Sequence, residues 1–247
     1  MTTKLDLKET YRNFVSLVGR KSVSTGAAME RAIGGEFEAF GVIEREMLKN
    51  YGLAGDAYLI DVGCGSGRLA KPLAEWPHLR YLGTDIVPEL VEYAQRTANR
   101  PDWRFRVVDD LAIPERDASA DMVCFFSVLT HLLHEQSYIY LEEAKRVLKP
   151  GGTIVLSFLE FKMGFQWNVF ESTVKDARGA NRHPLNVFIE RNALMVWAEH
   201  LGLEILEIRD GDEPFVPLAT PVRLEDGRIM ENFGNLGQSI CALRKPV

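Results

Sequence analysis

Short apolar runs alternate with amphipathic segments through the middle of the chain. The first runs, 57–62 and 80–86, are typical of strands that are buried on both faces. Between such runs, apolar residues recur every three or four positions, which predicts helices. Strands that alternate with helices at this spacing predict right-handed βαβ units and a parallel, doubly wound sheet. The predicted strands are 57–62, 80–86, 103–108, 121–128 and 153–159, and the predicted helices between them are 67–76, 88–98 and 134–148.

The two flanking regions depart from this alternation. Residues 1–52 are predicted to be helical, with one apolar face over 36–50. The segment at about 160–188 carries aromatic residues without a clear period, which predicts an insertion or lid. We therefore expect an N-terminal helical cap over 1–54 and a larger α/β domain over 55–247. The remaining predicted elements are a helix at 190–201 and strands at 203–210 and 238–245.

Composition and charge narrow the class of protein. The chain has 247 residues, of which 46% are hydrophobic, and a formal net charge of −6. It has no block of basic residues, which argues against nucleic acid as a partner. Cys64, Cys124 and Cys241 are widely spaced and form neither a disulfide framework nor a zinc-binding pattern. With no signal peptide and no apolar run long enough for a membrane span, the sequence predicts a reduced, cytoplasmic protein that does not enter a membrane.

The stretch 59-LIDVGCGSGRLA-70 is the main candidate for chemistry. It places three glycines at alternate positions directly after the first predicted strand. Such a loop turns with positive φ and lets a ligand reach backbone amides. Ligands of open parallel sheets bind at the carboxyl ends of the strands, close to the switch in strand order. Three interpretations compete at this point: a tight turn without a ligand, a dinucleotide site and a site for another nucleoside cofactor.

The dinucleotide fingerprint fits this stretch in only one register. Counted from Gly63, its sixth position is Arg68 and fails, whereas counted from Gly65 it is Ala70 and fits. Asp61 lies inside the strand just before the glycines. A carboxylate there disfavours a pyrophosphate but can accept hydrogen bonds from a cationic or neutral ligand.

These residues resemble the class I S-adenosylmethionine-dependent methyltransferases. Residues 61–68 match the D/E-x-G-x-G-x-G loop of that family, and Asp85 ends the second predicted strand as its ribose-binding acid does. Asp109 and the later Ile113-Pro114 resemble its adenine-recognition segment, and 121–132 and 146–153 resemble its fourth-strand motif and the turn into its fifth strand. The resemblance covers roughly residues 55–160. It implies a Rossmann-like sheet of seven mostly parallel strands with an antiparallel last strand.

The same resemblance implies S-adenosyl-L-methionine as the cofactor and assigns residues to its site. Asp85 would hold the ribose hydroxyls, and the acid after the third strand would recognise adenine. Asp109 and Asp110 compete for that second role, and Asp109 fits the spacing to Pro114 better. Arg68 is a candidate partner for the cofactor carboxylate. The expected cofactor-binding residues are Asp61, Gly63, Cys64, Gly65, Gly67, Arg68, Asp85, Ile86, Asp109, Asp110, Leu111, Phe126 and Ser127.

The implied reaction is an in-line displacement on the methyl group of a sulfonium. Such a reaction depends mainly on alignment, and a base is needed only where the nucleophile must lose a proton. His131 and His183 are the expected catalytic residues, with His134 and Glu160 as further candidates. Each of these side chains has an alternative interpretation as a packing or solvated residue.

The acceptor is expected to be a small molecule, methylated on oxygen. A loose resemblance of 26–41 to methyltransferases that act on sugars favours a sugar or secondary-metabolite hydroxyl. Methyl transfer to nitrogen or carbon, a cofactor-binding protein without catalysis and a nucleotide-dependent oxidoreductase are the alternatives. The aromatics at 158–170 are expected either to line the acceptor site or, with slightly more weight, to bury the insertion against the core.

Overall fold

The computed structural model describes residues 36–179 and 186–247. Its strands are β1 (Tyr58–Val62), β2 (Arg80–Asp85), β3 (Arg104–Val107), β4 (Ala120–Phe125), β5 (Leu148–Phe158), β6 (Glu204–Arg209), β7 (Val216–Pro217), β8 (Val222–Arg223), β9 (Ile229–Met230), β10 (Phe233–Gly234) and β11 (Ser239–Arg244). Its α-helices are α1 (Phe37–Asn50), α2 (Ala70–Leu73), α3 (Pro88–Ala98), α4 (His134–Val147), α5 (Trp167–Arg178) and α6 (Arg191–Leu201). Two short 3-10 turns lie at Leu129–His131 and Gly164–Gln166.

Seven strands form the central sheet in the order β3-β2-β1-β4-β5-β11-β6. The pairs from β3 to β5 are parallel, and β11 is antiparallel to both of its neighbours. The predicted fold, a doubly wound and mostly parallel sheet with an antiparallel last strand and an N-terminal helix, is therefore confirmed. The strand order reverses between β1 and β4, so the carboxyl ends of these two strands mark the expected ligand crevice.

The sheet is covered on both faces, and β1 shows how its residues divide between them. Every residue of β1 is buried. Ile60 and Val62 belong to the core under α4 and α6, whereas Leu59 belongs to the core under α1 and α2. Strand alternation therefore directs Asp61, two residues after Leu59, toward the α1 face.

Helix α1 is itself held from outside by the small strands near the carboxyl terminus. β7 pairs with β10, and β8 pairs with β9. Val216 and Leu224 from this region join Ile43 of α1 in one core cluster. None of the helices within 36–179 and 186–247 is long and apolar enough to cross a membrane.

Several element boundaries differ from the prediction. The helix expected at 67–76 is only the single turn α2, since Pro72 removes a backbone donor there. The fourth strand ends at Phe125 instead of residue 128, because Ser127 adopts a φ of +58° that no strand accommodates. The fifth strand begins at Leu148 and reaches its regular pairing after a register shift.

Two expectations lie partly or wholly outside the described residues. Most of the expected helical cap falls on residues 1–35, which lie outside the described residues. His183 lies outside them as well. The division of the chain into 1–54 and 55–247 stays a prediction. The expected insertion contains the helix α5, although the residues at 160–188 show no clear period.

Candidate functional site

The glycine loop after β1 is tied to the end of β2. The amide groups of Gly63 and Cys64 both donate to the Thr84 carbonyl oxygen, at 2.7 and 2.9 Å. All three glycines of the loop have positive φ. Gly67 also has no room for a side chain, because a Cβ atom there would lie 2.9 Å from the Ala94 Cα atom of α3. The loop is thus pressed between β2 and α3 with its backbone at the carboxyl edge of the sheet.

Asp85 joins the end of β2 to this loop. Its Oδ2 atom accepts a hydrogen bond from the Gly65 amide at 3.0 Å, and its Oδ1 atom accepts one from the Val87 amide at 2.9 Å. Burial raises the pKa of Asp85 to about 6, although these backbone hydrogen bonds act in the opposite direction. Each carboxylate oxygen has a further lone pair. The site therefore presents an acceptor group that is suited to hydroxyl donors.

The acidic pair after β3 lies beside Asp85. The Val108 amide donates to the Asp85 carbonyl oxygen at 3.0 Å, so the two strand ends are adjacent. Asp109 and Asp110 follow directly and are both exposed. The Tyr140 hydroxyl donates to the Asp110 carbonyl oxygen at 3.3 Å. The choice between these two acids as the adenine partner stays open. Leu111 packs against the core, and Ile86 is half-buried.

Asp61 lies beneath the loop among protein groups. The Tyr81 hydroxyl donates to its Oδ2 atom at 2.5 Å, and the Cys124 thiol donates to its Oδ1 atom at 3.6 Å. Burial raises the pKa of Asp61 to about 7, and the hydrogen bond from Tyr81 partly offsets this rise. Cys64 is buried in the same region. Both oxygens of Asp61 are thus bonded to side chains of the neighbouring strands β2 and β4.

Arg68 also points into the protein. Its guanidinium is 2.5 Å from a carboxylate oxygen of Glu44 on α1, and both side chains are buried. Burial raises the pKa of Glu44, and the charge of Arg68 opposes this effect. Gly41, one turn earlier on α1, allows the helix to approach, since a Cβ atom there would lie 2.4 Å from the Arg68 carbonyl oxygen. Neither α1 residue was predicted to belong to the site. The only sequence feature that could have indicated them is an acid and a glycine within an amphipathic helix.

The end of β4 carries a strained residue inside a ring of hydrogen bonds. Ser127 has a φ of +58°, in a region that residues other than glycine seldom adopt and that recurs at functional sites. Its amide donates to the Ser157 Oγ atom at 2.7 Å, and Ser157 donates to Gln238 Oε1 at 2.7 Å. Gln238 Nε2 closes the ring by donating to Ser127 Oγ at 3.0 Å. Phe126, just before it, is buried. Sequence reasoning missed Ser157 and Gln238.

The candidate bases fall into different environments. His131 is half-buried at the end of the 3-10 turn that follows Ser127. His134 bonds the Phe188 carbonyl oxygen through Nε2 at 3.1 Å and packs edge-on against Trp197, which is a structural role. Glu160 is fully buried and accepts hydrogen bonds from Arg191 and from other groups. Its oxygens are therefore engaged within the protein.

The aromatic residues after β5 divide into core and surface. Phe158 is fully buried, whereas Phe161, Phe165 and Trp167 are 45%, 43% and 49% exposed. The helix α5 has no buried residue in its described part. The expectation that these aromatics bury the insertion against the core is thus wrong for Phe161, Phe165 and Trp167, whereas Phe170 is half-buried and packs edge-on against the buried Phe188. Phe161, Trp167 and Phe170 pack on one another, whereas Phe165 joins none of these ring pairs in the described part of the chain.

Comparison with known proteins finds relatives of the central part of the chain. Residues 60–156 match the model of a methyltransferase domain. The ubiquinone biosynthesis O-methyltransferase of Xylella fastidiosa strain M23 is 28% identical over 171 residues, which are 65% of each chain. The malonyl-[acyl-carrier protein] O-methyltransferase of Hahella chejuensis is 32% identical over 125 residues, which are 50% of this chain and 44% of that one. The chain thus covers less than two thirds of the length of these relatives.

A solved structure shows the same fold over almost the whole chain. Magnesium protoporphyrin IX methyltransferase from Synechocystis PCC 6803, with bound SAH, superposes with a TM-score of 0.61 at 16% identity and covers 97% of this chain and 100% of that one. The domain match over residues 60–156 and the shared fold are those of S-adenosylmethionine-dependent methyltransferases, and they support S-adenosyl-L-methionine as the cofactor.

Proposed function

We propose that this chain transfers the methyl group of S-adenosyl-L-methionine to an oxygen atom of a small molecule. One observation carries the proposal: the buried Asp85 carboxylate at the end of β2 is bonded to the Gly65 amide of the glycine loop, which follows β1 at the switch in strand order. A carboxylate held in this way suits two hydroxyl donors on one nucleoside. Dinucleotide sites also carry an acid at this position, so Asp85 supports a nucleoside cofactor, and the methyltransferase-domain match over residues 60–156 supports methyl transfer.

In this proposal, residues at the ends of different strands bind different parts of the cofactor. Asp85 and Ile86 take the ribose, and Asp109 or Asp110 takes the adenine with Leu111 beneath it. The backbone of the glycine loop, together with Phe126 and Ser127, takes the methionine end. Asp61 and Arg68 act from behind the loop, because their side chains are bonded to Tyr81 and Glu44.

The chemistry that the chain itself must supply is modest. When bound, the sulfonium supplies a methyl carbon that is already electrophilic. The protein has to align the attacking oxygen with that carbon and keep water away, which accounts for much of the rate gain in such reactions. A hydroxyl nucleophile also has to lose its proton. His131, beside the end of β4, is the proposed base, and His183 stays the second candidate.

Oxygen is the proposed target because two relatives are named as O-methyltransferases. One relative is named for ubiquinone biosynthesis and the other for malonyl-[acyl-carrier protein]. The two names therefore share the target atom, oxygen, and not a substrate. Methyl transfer to nitrogen or carbon, or cofactor binding without turnover, are the alternatives. A reduced, cytoplasmic setting remains a prediction from the sequence.

A turnover assay tests the proposal. The full chain is incubated with methyl-13C-labelled S-adenosylmethionine and a panel of alcohols, phenols, amines and thiols, and S-adenosylhomocysteine is quantified by mass spectrometry. We expect turnover with hydroxyl acceptors, and we expect the 13C NMR signal of the transferred methyl group to be that of an O-methyl product. Asp85→Ala should abolish turnover, whereas Asp226→Ala, at an exposed acid bonded to Arg228, should not. Turnover with amines alone would contradict the proposal.

A further inference from the structure

We infer that the methyl acceptor is an uncharged aromatic compound that stacks on the ring group Phe161, Trp167, Phe170 and Phe188, called here the aromatic cluster. The inference rests on the proposed methyl transfer and goes further, since it names the class of acceptor. Three observations carry it: the packing of the rings, their connection to the end of β4 and the pairing of the charges around them.

The four rings form one continuous aromatic surface. Phe161 stacks on Phe188 with centroids 4.5 Å apart and an interplanar angle of 12°. Phe170 packs edge-on against Phe161 at 5.1 Å, and Trp167 lies 5.1 Å from Phe170. Phe188 is buried and anchors the group, whereas Phe161 and Trp167 are nearly half exposed. Aromatic rings gain stabilisation from stacked and edge-on partners, so this surface suits a further ring.

The aromatic cluster is connected to the candidate site by direct contacts. A Cβ atom at Gly63 would lie 2.4 Å from the Val128 side chain, so the residues after β4 touch the glycine loop. Thr130 in that segment donates to the Ser127 carbonyl oxygen at 3.0 Å and accepts from the Val187 amide at 2.7 Å. Phe188, which follows Val187 directly, belongs to the aromatic cluster and forms a parallel bridge with Leu159.

This sequence of contacts places the cluster at the same edge of the sheet as the glycine loop. Phe161 follows the end of β5 by three residues. In open α/β sheets the crevice outside the strand carboxyl ends is where ligands bind. An acceptor that lies on the cluster is thus held by the same edge that presents Asp85 and Ser127.

Four charged side chains near the cluster, Glu160, Lys162, Arg191 and Asp210, are paired with one another. Glu160 is bonded to Arg191, and Lys162 donates to Asp210 at 2.9 Å. The Trp167 indole donates to Glu171 at 3.2 Å. A charged acceptor would have to compete with these ion pairs, which are already formed. An uncharged ring loses little on leaving water and gains contact with the exposed rings.

Titrations with acceptor probes test the inference. Catechol and 2-naphthol represent uncharged aromatic hydroxyl compounds, and methyl glucoside represents a sugar. Each is titrated into the full chain with and without S-adenosylhomocysteine. The variants are Trp167→Leu and Phe161→Leu, with Phe165→Leu as the matched control. Phe165 has similar exposure and makes no ring contact with the aromatic cluster in the described part of the chain.

We expect the aromatic probes to bind wild type and the Phe165 variant equally. Trp167→Leu and Phe161→Leu should each weaken that binding by roughly five- to tenfold, in the range of one lost stacking contact. The affinity for S-adenosylhomocysteine should stay unchanged in all three variants. Tighter binding of methyl glucoside, or aromatic affinities that do not change in both cluster variants, would overturn the inference. A wild-type chain that binds no S-adenosylhomocysteine would instead contradict the proposed function, and the titrations without it would still decide the acceptor class.

Discussion

Gly41→Ala separates helix propensity from the packing that holds the glycine loop. Gly41 lies inside α1, where alanine is intrinsically better than glycine by about 1 kcal/mol. A Cβ atom at this position, however, would lie 2.4 Å from the Arg68 carbonyl oxygen and 3.3 Å from the carbonyl carbon. The obstacle is backbone at the base of the loop, so no side-chain rotation relieves it. The helix or the loop has to move.

The expected magnitude follows from these two opposing effects. Overpacking typically destabilises by 1–3 kcal/mol, and a clash with backbone belongs at about 3 kcal/mol. Subtracting the helix preference of about 1 kcal/mol leaves a net loss of about 2 kcal/mol. For a domain of this size, that corresponds to a fall in Tm of roughly 4–8 °C. Displacement of Arg68 should also weaken binding of S-adenosylhomocysteine.

Thermal unfolding followed by circular dichroism measures this change. Gly55→Ala is the matched control, because a Cβ atom there has nothing within 4 Å. We expect the control to unfold within the range of a neutral surface substitution. If Gly41→Ala unfolds at or above the wild-type Tm, helix propensity dominates and the close approach of α1 to the loop is not a constraint.

Three further predictions concern pH and positioning. Because folding raises the pKa of Asp61 to about 7, its stabilising effect is complete below its ordinary pKa of 3.8 and is lost as the pH rises to about 7. In wild type, the free energy of unfolding measured by chemical denaturation should therefore fall between these pH values. In Asp61→Asn this fall should be smaller, and a fall of the same size in both proteins would contradict the prediction. Since the pKa of Asp85 is about 6, calorimetric affinity for S-adenosylhomocysteine should fall below pH 6 in wild type and be independent of pH in Asp85→Asn. Gln238→Leu removes the donor to Ser127 Oγ and should weaken that affinity by roughly tenfold, as expected for an orphaned polar group. Gln95→Leu, the same substitution at an exposed position of α3, should have no such effect, and equal affinities in the two variants would argue against the hydrogen-bonded ring.

Local features of the sequence were sufficient to predict the sheet and the glycine loop. Strands such as β1 and β2 are apolar runs that end at glycine or aspartate, and a run of this kind is visible in isolation. The position of Asp85 also follows from local spacing, since it is the last residue of β2. The antiparallel last strand came from the family resemblance, because a short apolar run does not indicate its direction.

Features that depend on distant residues could not be predicted. Gln238 and Ser127 are 111 positions apart, and no periodicity links them. The inward orientation of Arg68 depends on Glu44, which lies on a different element. The exposed aromatics were misjudged for a related reason. An aromatic residue such as Trp167 suits either a core or a surface that binds a ligand, and only its burial distinguishes the two.

Isothermal titration of S-adenosylhomocysteine into wild type, Asp85→Ala and Asp226→Ala tests the central claim most directly. The claim is that the Asp85 carboxylate, held by the Gly65 amide beside the glycine loop, binds the nucleoside of the cofactor. We expect wild type and Asp226→Ala to bind equally, and Asp85→Ala to bind at least about tenfold more weakly while remaining folded, since a hydrogen bond to a charged group contributes roughly 1.5–3 kcal/mol. Folded wild-type protein that gives no binding heat, or an Asp85→Ala variant with wild-type affinity, would contradict the account.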